Sequence, residues 1–171
     1  QLQEEFSYQP GQHLLIDFQI EGESYRRTYS LNSCPFAEEE LQITIKRVKG
    51  GKVSNYANDQ LRLGDELQVM PPKGRFYAEV NPKAYKSYYL FAAGSGITPI
   101  FSILKSVLTA SPYSQVYVLY GNKNQDTILF KEELQHLEAE YGHRFQLVHI
   151  LRDPKVWTSW ESWKGKKGRS D

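Results

Sequence analysis

The sequence predicts two domains, a small antiparallel β-barrel of Greek-key type over residues 1–80 and a parallel α/β domain over residues 81–171. Two observations predict this division. Residues 7–80 contain many short apolar or alternating runs separated by turn residues, which is the pattern of an all-β barrel. Residues 88–151 instead alternate strand-like apolar runs with helical periodicity, as parallel strands joined by crossover helices do. The boundary is predicted near Asn81-Pro82-Lys83.

The elements of the first domain are predicted from apolar runs bounded by glycine, proline and acidic turn residues. The predicted strands are His13–Ile20, Tyr25–Leu31, Gln42–Val48 and Glu66–Met70, and Val53–Leu61 is predicted as a short helix. Pro71-Pro72-Lys73-Gly74 is interpreted as a turn that ends the last of these strands. A barrel must close, and the chain opens on the turn before the first strand, so we expect a further strand to be missing at the N-terminus.

The second domain is predicted to alternate strands and helices. The strands are Tyr88–Ala93, Gln115–Tyr120 and Phe145–Leu151, and the helices are Pro99–Leu108 and Phe130–Tyr141. Three strands are few for a doubly wound sheet, and the tail Arg152–Asp171 is not predicted to supply another, so this domain is also expected to be incomplete. The tail carries Trp157, Trp160 and Trp163, followed by the basic cluster Lys164, Lys166, Lys167 and Arg169. We interpret that cluster as a solvated loop, with docking of an acidic redox partner as the alternative.

A glycine turn, Gly94-Ser95-Gly96, separates a buried strand from a helix. Thr98 is predicted to cap the helix and Pro99 to occupy its first position. Free N–H groups and the helix dipole at such a turn suit a phosphate. The full dinucleotide-binding fingerprint is absent, because Pro99 stands where a third glycine belongs and the next strand ends in Gly121-Asn122-Lys123 without an acidic residue. A tight connection without a ligand is the alternative interpretation.

Two features of the first domain point to the same ligand chemistry. Arg27 and Tyr29 share one face of a predicted strand, which suits a phosphate and a flat ring. Gly50-Gly51 lead into a predicted helix and offer further free N–H groups. Taken alone, a solvated strand face and an ordinary capped helix are the alternatives.

Composition and charge exclude several classes of function. The net charge of +1 gives no sign of a nucleic-acid partner, and no apolar run approaches the roughly 20 residues of a membrane span. Cys34 is the only cysteine, which excludes an internal disulfide and a four-cysteine cluster within this chain. With no signal peptide in the sequence, these features predict a cytoplasmic location. The four histidines, His13, His136, His143 and His149, lack metal-binding spacing.

In combination, Arg27-x-Tyr29-Ser30, Gly51-Lys52-Val53-Ser54 and Gly94-x-Gly96-x-x-Pro99 resemble the ferredoxin–NADP⁺ reductase family. The strings Ile45-Lys46-Arg47-Val48 and Tyr120-Gly121-Asn122 are most similar to the reductase components of bacterial multicomponent oxygenases, in particular that of phenylacetyl-CoA epoxidase. The resemblance implies a flavin-binding barrel followed by a nicotinamide-nucleotide domain. It also implies electron transfer from NAD(P)H through FAD to an iron–sulfur centre or a partner oxygenase.

The resemblance also implies roles for individual residues. Arg27 would hold the FAD pyrophosphate and Tyr29 would lie against the flavin ring. Ser30 and Thr98 are the implied catalytic residues, Ser30 by a hydrogen bond near the flavin and Thr98 where flavin and nicotinamide meet. The remaining implied cofactor-binding residues are Thr28, Thr44, Ile45, Lys46, Gly51, Lys52, Val53, Ser54, Gly94, Ser95, Gly96 and Arg152. Cys34 is interpreted as a buried filler, with the edge of the flavin site as the alternative.

The chain departs from the family pattern in three places. The late Cys-Gly-Pro strand motif and the plant-type ferredoxin domain are absent, so a [2Fe-2S] centre is expected only outside this chain. The pair that binds the 2′-phosphate in NADPH-dependent relatives is Ser-Arg, and here it reads Leu151-Arg152. With Lys123 nearby, this leaves NADH and NADPH open with a preference for NADPH. The expected acceptor is a ferredoxin domain or an oxygenase component. A non-catalytic flavin- or nucleotide-binding regulatory module of the same fold is the alternative function.

Overall fold

The computed structural model describes residues 6–153 and 166–168, which form two sheets. One sheet is antiparallel with the order β2-β1-β3, and the other is parallel with the order β4-β5-β6-β7. The elements in chain order are β1 His13–Ile20, β2 Glu23–Ser30, α1 Lys52–Asp59, β3 Gln68–Lys73, β4 Ser87–Ala93, α2 Ile97–Ala110, β5 Gln115–Asn122, α3 Lys131–Tyr141, β6 Phe145–Leu151 and β7 Lys166–Lys167.

The first domain is built around the central strand β1. Its alternate side chains, Leu14, Ile16, Phe18 and Ile20, are all buried and form a core with Leu31 and Val53. This period of two places one face of the sheet inward. The antiparallel arrangement is therefore confirmed. In the described part of the chain it takes the form of an open three-stranded sheet with one further bridge between Leu31 and Ile43.

The predicted strand Gln42–Val48 is wrong, because only Ile43 in this segment bridges to another strand. Side chains of α1 bond its backbone instead. The Val48 N–H donates to Ser54 Oγ at 3.2 Å, and the Ile45 carbonyl accepts from Asn58 Nδ2 at 3.2 Å. The segment is thus tied to a helix, which pairs two of its backbone groups in place of a sheet partner.

The strand predicted to end at Met70 continues through Pro71 and Pro72 to Lys73. Proline is tolerated here because, in the part of the chain that the structure describes, β3 lies at the edge of its sheet and pairs with β1 alone. The register also shifts at this point, since Met70 pairs with Leu15 and Lys73 with His13. The two prolines occupy this irregularity, where no ladder hydrogen bond is lost.

The second domain confirms the predicted alternation of parallel strands and helices. Its core joins α2 to β4, β5 and β6, with Leu104, Val107, Val118 and Phe145 almost fully buried. The tail does supply a further strand, contrary to the prediction, because Lys166 and Lys167 pair in parallel with Ile150 and Leu151. Trp157, Trp160, Trp163, Lys164 and Arg169 lie outside the described residues. None of the helices in the described part of the chain has the length and apolar character needed to cross a bilayer.

The start of α2 differs from the prediction. Gly94–Gly96 form a 3-10 turn, and the α-helix begins at Ile97 with Gly96 as the N-cap residue. Thr98 therefore lies inside the first turn and does not cap the helix, and Pro99 is the third helical residue. The 3-10 turn continues directly into the α-helix, so the helical conformation begins earlier than the apolar periodicity suggests.

Polar contacts join the two domains along α2. Ser102 Oγ donates to the Ser33 carbonyl at 2.6 Å, and Lys105 Nζ lies 2.6 Å from Glu39 Oε2. Cys34 is buried beside Ser106, with 3.6 Å between Sγ and Oγ, and so fills space in this junction. The helix that carries the glycine turn is thereby held against the first domain.

Candidate functional site

Two clefts meet at the glycine turn between the domains. The first has a volume of about 560 Å³ and is bounded by β2, the 44–48 segment and the start of α1 on one side and by the start of α2 on the other. Its lining residues are Arg27, Thr28, Tyr29, Ser30, Thr44, Lys46, Val48, Gly51, Lys52, Val53, Ser54, Ser95, Gly96, Thr98 and Pro99.

One wall of the first cleft is the free edge of β2. Among residues 6–153 and 166–168, β2 pairs with β1 alone, so its outer edge is open there, and residues from both faces of the strand reach the cleft. Arg27 is exposed and forms no ion pair with a carboxylate in the described part of the chain; its Nη1 donates to the Arg26 carbonyl at 2.7 Å. Tyr29 packs edge-on against Phe18 with ring centroids 6.1 Å apart. Burial raises the pKa of Tyr29, and the nearby Arg27 opposes that rise.

The N-terminus of α1 forms the adjoining wall. Gly51 is the N-cap residue and makes no side-chain cap, and the first turn contains no acidic residue. The positive end of the helix dipole is therefore not offset from within the helix. Ser54 Oγ is engaged in the turn, since it accepts from the Val48 N–H and donates to the Gly51 carbonyl. A Cβ at Gly51 would lie 2.6 Å from Ser54 Oγ, so glycine is needed for this packing.

The glycine turn closes the first cleft from the second domain. Thr98 is 7% exposed, and its Oγ1 donates to the Ser95 carbonyl at 3.0 Å. Gly94 has a φ of 51°, a conformation that glycine adopts readily. The buried Tyr120 hydroxyl donates to the Gly94 carbonyl at 3.0 Å. Two hydroxyls therefore fix the shape of a turn with almost no side chains of its own.

The second cleft, of about 670 Å³, opens at the carboxyl ends of β4, β5 and β6. Its lining residues are Lys46, Ala93, Gly94, Gly121, Asn122, Lys123, Thr127, Ile150, Arg152 and Gly168. Ligands of parallel sheets bind at this end of the strands. Three of the lining side chains are cationic, which favours an anionic ligand. Arg152 Nε also lies 3.0 Å from Asp153 Oδ2 on the surface.

Most of the residues predicted for a site lie together in the first cleft. Gly94 and Arg152 lie in the second cleft, and Lys46 borders both. Ile45 lines neither, because its side chain packs against the core of the first domain. The structure therefore divides the predicted cofactor-binding residues between two adjoining clefts.

Sequence reasoning missed two polar residues of the second cleft, Asn122 and Thr127. Asn122 is the last residue of the buried strand β5. A polar residue at the carboxyl end of a parallel strand was a usable signal. Thr127 lies in a 3-10 turn after that strand and had no signal in the sequence.

Known protein families match both domains. Residues 1–77 match the family described as the oxidoreductase FAD-binding domain, and residues 90–171 match the oxidoreductase NAD-binding domain. The two matches meet close to the boundary between the sheets. They assign one nucleotide cofactor to each domain.

Among curated proteins, the chain is similar to one of the subunits of 1,2-phenylacetyl-CoA epoxidase from Escherichia coli (strain K12), with 36% identity over 150 residues. It is 39% identical over 153 residues to the 3-ketosteroid-9-alpha-monooxygenase ferredoxin reductase component of Rhodococcus rhodochrous. Each alignment covers 88% of this chain and 42% of the relative, so the chain spans about two fifths of their length.

Among solved structures, the chain is similar to the flavohem-like FAD/NAD binding domain of nitric oxide dioxygenase from Vibrio cholerae O1 biovar El Tor. The TM-score is 0.78 at 29% identity, and the match covers 96% of this chain and 67% of that one.

The clefts fit the cofactors that these families bind. A cation without an ion pair in the described chain, an aromatic ring and an uncapped helix N-terminus suit the phosphates and flat ring of FAD. The cationic cleft at the strand ends suits a nicotinamide dinucleotide. The chain belongs to the oxidoreductases that combine an FAD-binding domain, here residues 1–77, with an NAD-binding domain, here residues 90–171.

Proposed function

We propose that this chain is the flavin- and nicotinamide-binding part of an oxidoreductase that passes electrons from NAD(P)H through FAD to an iron–sulfur centre or a partner oxygenase. The observation that supports this most strongly is the meeting of two clefts at one turn, where Gly94 lines one cleft and Ser95 and Gly96 line the other. FAD accepts a hydride as an electron pair and releases electrons singly, which nicotinamide does not readily do.

In the first cleft, Arg27 would pair with an FAD phosphate and Tyr29 would offer its ring as a surface for the flavin. The N–H groups at the start of α1, at Lys52 and Val53, would bind a phosphate oxygen. Ser30 and Thr98 lie on opposite domains but line the same cleft, so both would contact or border the reacting rings. These residues bind, orient and exclude water, and no acid–base group is required of them.

In the second cleft, the Gly94 turn would receive the nucleotide phosphates. We propose NADPH as the preferred donor, because Lys123 and Arg152 lie at the strand ends where a 2′-phosphate would sit. The end of β5 also lacks the acidic residue that binds the ribose 2′-hydroxyl in NAD-dependent proteins.

We propose that the partner is an oxygenase system, with a ferredoxin domain or oxygenase component as acceptor. The names of the relatives support this, since they include a subunit of an epoxidase and a ferredoxin reductase component of a monooxygenase. A role in aromatic catabolism of the phenylacetate type is the finer proposal. A [2Fe-2S] centre would lie outside this chain, and the cytoplasmic location stays a prediction.

The proposal is tested first by reconstitution with FAD, followed by steady-state reduction of a one-electron dye with NADPH or NADH. We expect a yellow protein that reduces the dye, faster with NADPH at low donor concentration. A protein that binds no FAD, or that binds FAD and never reduces the dye, contradicts the proposed activity.

The phosphate role of Arg27 is tested by Arg27→Ala, with Arg26→Ala as the matched control. Arg26 pairs with Asp17 at 3.2 Å and does not line the cleft. Loss of a charged hydrogen bond to a phosphate predicts that the Kd for FAD rises roughly 10- to 100-fold for Arg27→Ala. The control should bind FAD as the wild type does. Equal FAD affinity in both variants would remove Arg27 from the site.

A further inference from the structure

Asn122 has a buried amide whose oxygen lacks a hydrogen-bond donor. The residue is 8% exposed and lines the second cleft, and its Oδ1 makes no hydrogen bond in the described part of the chain. The amide also lies near the Tyr120 hydroxyl, where it opposes the rise in the pKa of Tyr120 that burial causes; that hydroxyl donates to the Gly94 carbonyl and accepts from the Leu129 N–H. A buried amide oxygen without a donor is unfavourable unless a ligand pairs with it.

The other side chains of the second cleft are mainly hydrogen-bond donors, so a ligand hydroxyl finds few acceptors among them. Lys46, Lys123 and Arg152 can only donate hydrogen bonds. Thr127 Oγ1 is already engaged, since it donates to the Asn124 carbonyl at 2.8 Å and accepts from the Asn124 N–H at 3.2 Å. Thr127 Oγ1 keeps one lone pair, whereas Asn122 Oδ1 is the acceptor among the described lining side chains that makes no hydrogen bond at all, so it is the better placed to accept the hydroxyl proton of a ligand.

The position of Asn122 indicates which hydroxyl this is. Asn122 ends β5, between the turn that follows β4 and Arg152 after β6, and the Arg152 N–H donates to the Asn122 carbonyl at 3.0 Å. Neighbouring strands are about 4.8 Å apart. Asn122 thus lies one strand further than Gly94 from the first cleft. A dinucleotide with its reactive ring at the first cleft and its phosphates at Gly94 would bring its adenosine ribose to Asn122.

We propose that Asn122 recognises the adenosine ribose of the nicotinamide dinucleotide, with Oδ1 accepting from a ribose hydroxyl and Nδ2 donating to a ribose or phosphate oxygen. This inference rests on the proposed function, because it assigns the second cleft to that nucleotide. It makes Asn122 a specificity residue for sugar hydroxyls, while the surrounding cations attract phosphate groups.

The test measures calorimetric binding of ADP and of 2′,3′-dideoxy-ADP to the full chain. The wild type should bind ADP more tightly than the dideoxy analogue, by roughly 5- to 30-fold. Asn122→Leu, which has a similar shape without polar atoms, should bind the two ligands equally. Asn122→Ser should restore part of the discrimination. Lys123→Met is the control; it removes a cation from the same cleft and should keep the wild-type ratio between the two ligands.

Two results would overturn the inference. One is an Asn122→Leu variant, folded by circular dichroism, that keeps the wild-type ratio of affinities. The other is a wild type that binds both ligands equally or binds neither. Failure here is distinct from failure of the proposed function, because a protein that reduces the dye with NADPH but shows no ribose discrimination loses only the role of Asn122. If Asn122→Leu does not fold, Asn122→Ser decides the test. Its ratio of affinities for ADP and the dideoxy analogue must then lie between that of the wild type and one.

Discussion

The Thr98 side chain holds the backbone of the glycine turn between the two clefts. Its hydroxyl donates to the Ser95 carbonyl, and its residue lines the first cleft while remaining almost fully buried. The hydroxyl is thus engaged within the turn, so its main effect is to hold Ser95 and Gly96 in place. We infer that Thr98 acts as a positioning residue of the turn between the clefts.

We predict that Thr98→Ala slows reduction of bound flavin roughly 10- to 100-fold while FAD affinity stays near that of the wild type. The reason is that loss of the bond to Ser95 loosens the turn without removing a group that holds FAD. Thr98→Ser keeps the hydroxyl and should retain most of the rate. Rapid-mixing absorbance measurements on both variants decide this, and a wild-type rate in Thr98→Ala would count against the positioning role.

His149 lies on β6 beside the Tyr120 ring, with centroids 5.6 Å apart. Burial lowers its pKa, and the charge of Lys131 lowers it further. A histidine in the unfolded chain has a pKa of about 6.5. At mildly acidic pH, near that value, the unfolded chain therefore binds more protons at His149 than the folded chain does. The free energy of unfolding therefore decreases as pH falls from about 7 through this range.

We predict that His149→Gln flattens this pH dependence, because the glutamine cannot titrate. The measurement is urea unfolding at neutral and mildly acidic pH. His143→Gln, at an exposed site, should leave the wild-type slope unchanged. An unchanged slope in His149→Gln would show that another group carries the effect.

At the residue scale, side-chain chemistry was more predictable than local geometry. Arg27 and Tyr29 followed from strand alternation, and the structure places both in the cleft. The cap role of Thr98 was wrong, because the 3-10 turn moves the helix start to Ile97. Asn122 was missed because burial and an unpaired amide oxygen are properties of the folded chain.

At the element scale, the C-terminus of α2 depends on a residue from outside the helix. Arg144 Nη2 donates to the Leu108 carbonyl at 2.8 Å, and Nη1 donates to the Ser111 and Ser114 carbonyls at 3.0 and 3.2 Å. The last carbonyls of a helix lack partners within it, and a cation there also offsets the dipole. Arg144 thus ties α2 to the start of β6.

We predict that Arg144→Ala lowers the free energy of unfolding by about 1–3 kcal/mol, because it leaves half-buried carbonyls without a donor. Arg144→Lys keeps the charge but not the planar fork, and should recover only part of this loss. Denaturant unfolding measures both values. The exposed Arg75→Ala is the control, and a loss in Arg144→Ala no larger than in that control would contradict the account.

Elements with strong periodicity were predicted well, and elements stabilised by tertiary contacts were not. The bounds of β1 and β6 agree with the prediction, because their apolar patterns are sharply interrupted at both ends. The 42–48 segment has a strand-like pattern, but side chains of α1 satisfy its backbone. β3 runs through two prolines only because it is an edge strand.

At the scale of the whole molecule, the junction along α2 explains why the two clefts adjoin. Ser102 bonds the Ser33 carbonyl and Lys105 pairs with Glu39, so the helix is fixed against the first domain behind the glycine turn. The two-domain order was predictable from the pattern of the chain. The way in which the clefts share Lys46 and the turn was not, because it depends on how the domains pack.

The most direct test of the account is anaerobic rapid mixing of the FAD-loaded chain with NADPH and with NADPH deuterated at the transferred position. We predict that the flavin absorbance bleaches in a single turnover and that deuterium slows the bleaching, as transfer between adjoining rings requires. Bound flavin that stays yellow under excess NADPH and NADH would contradict the claim that the two clefts form one electron-transfer site.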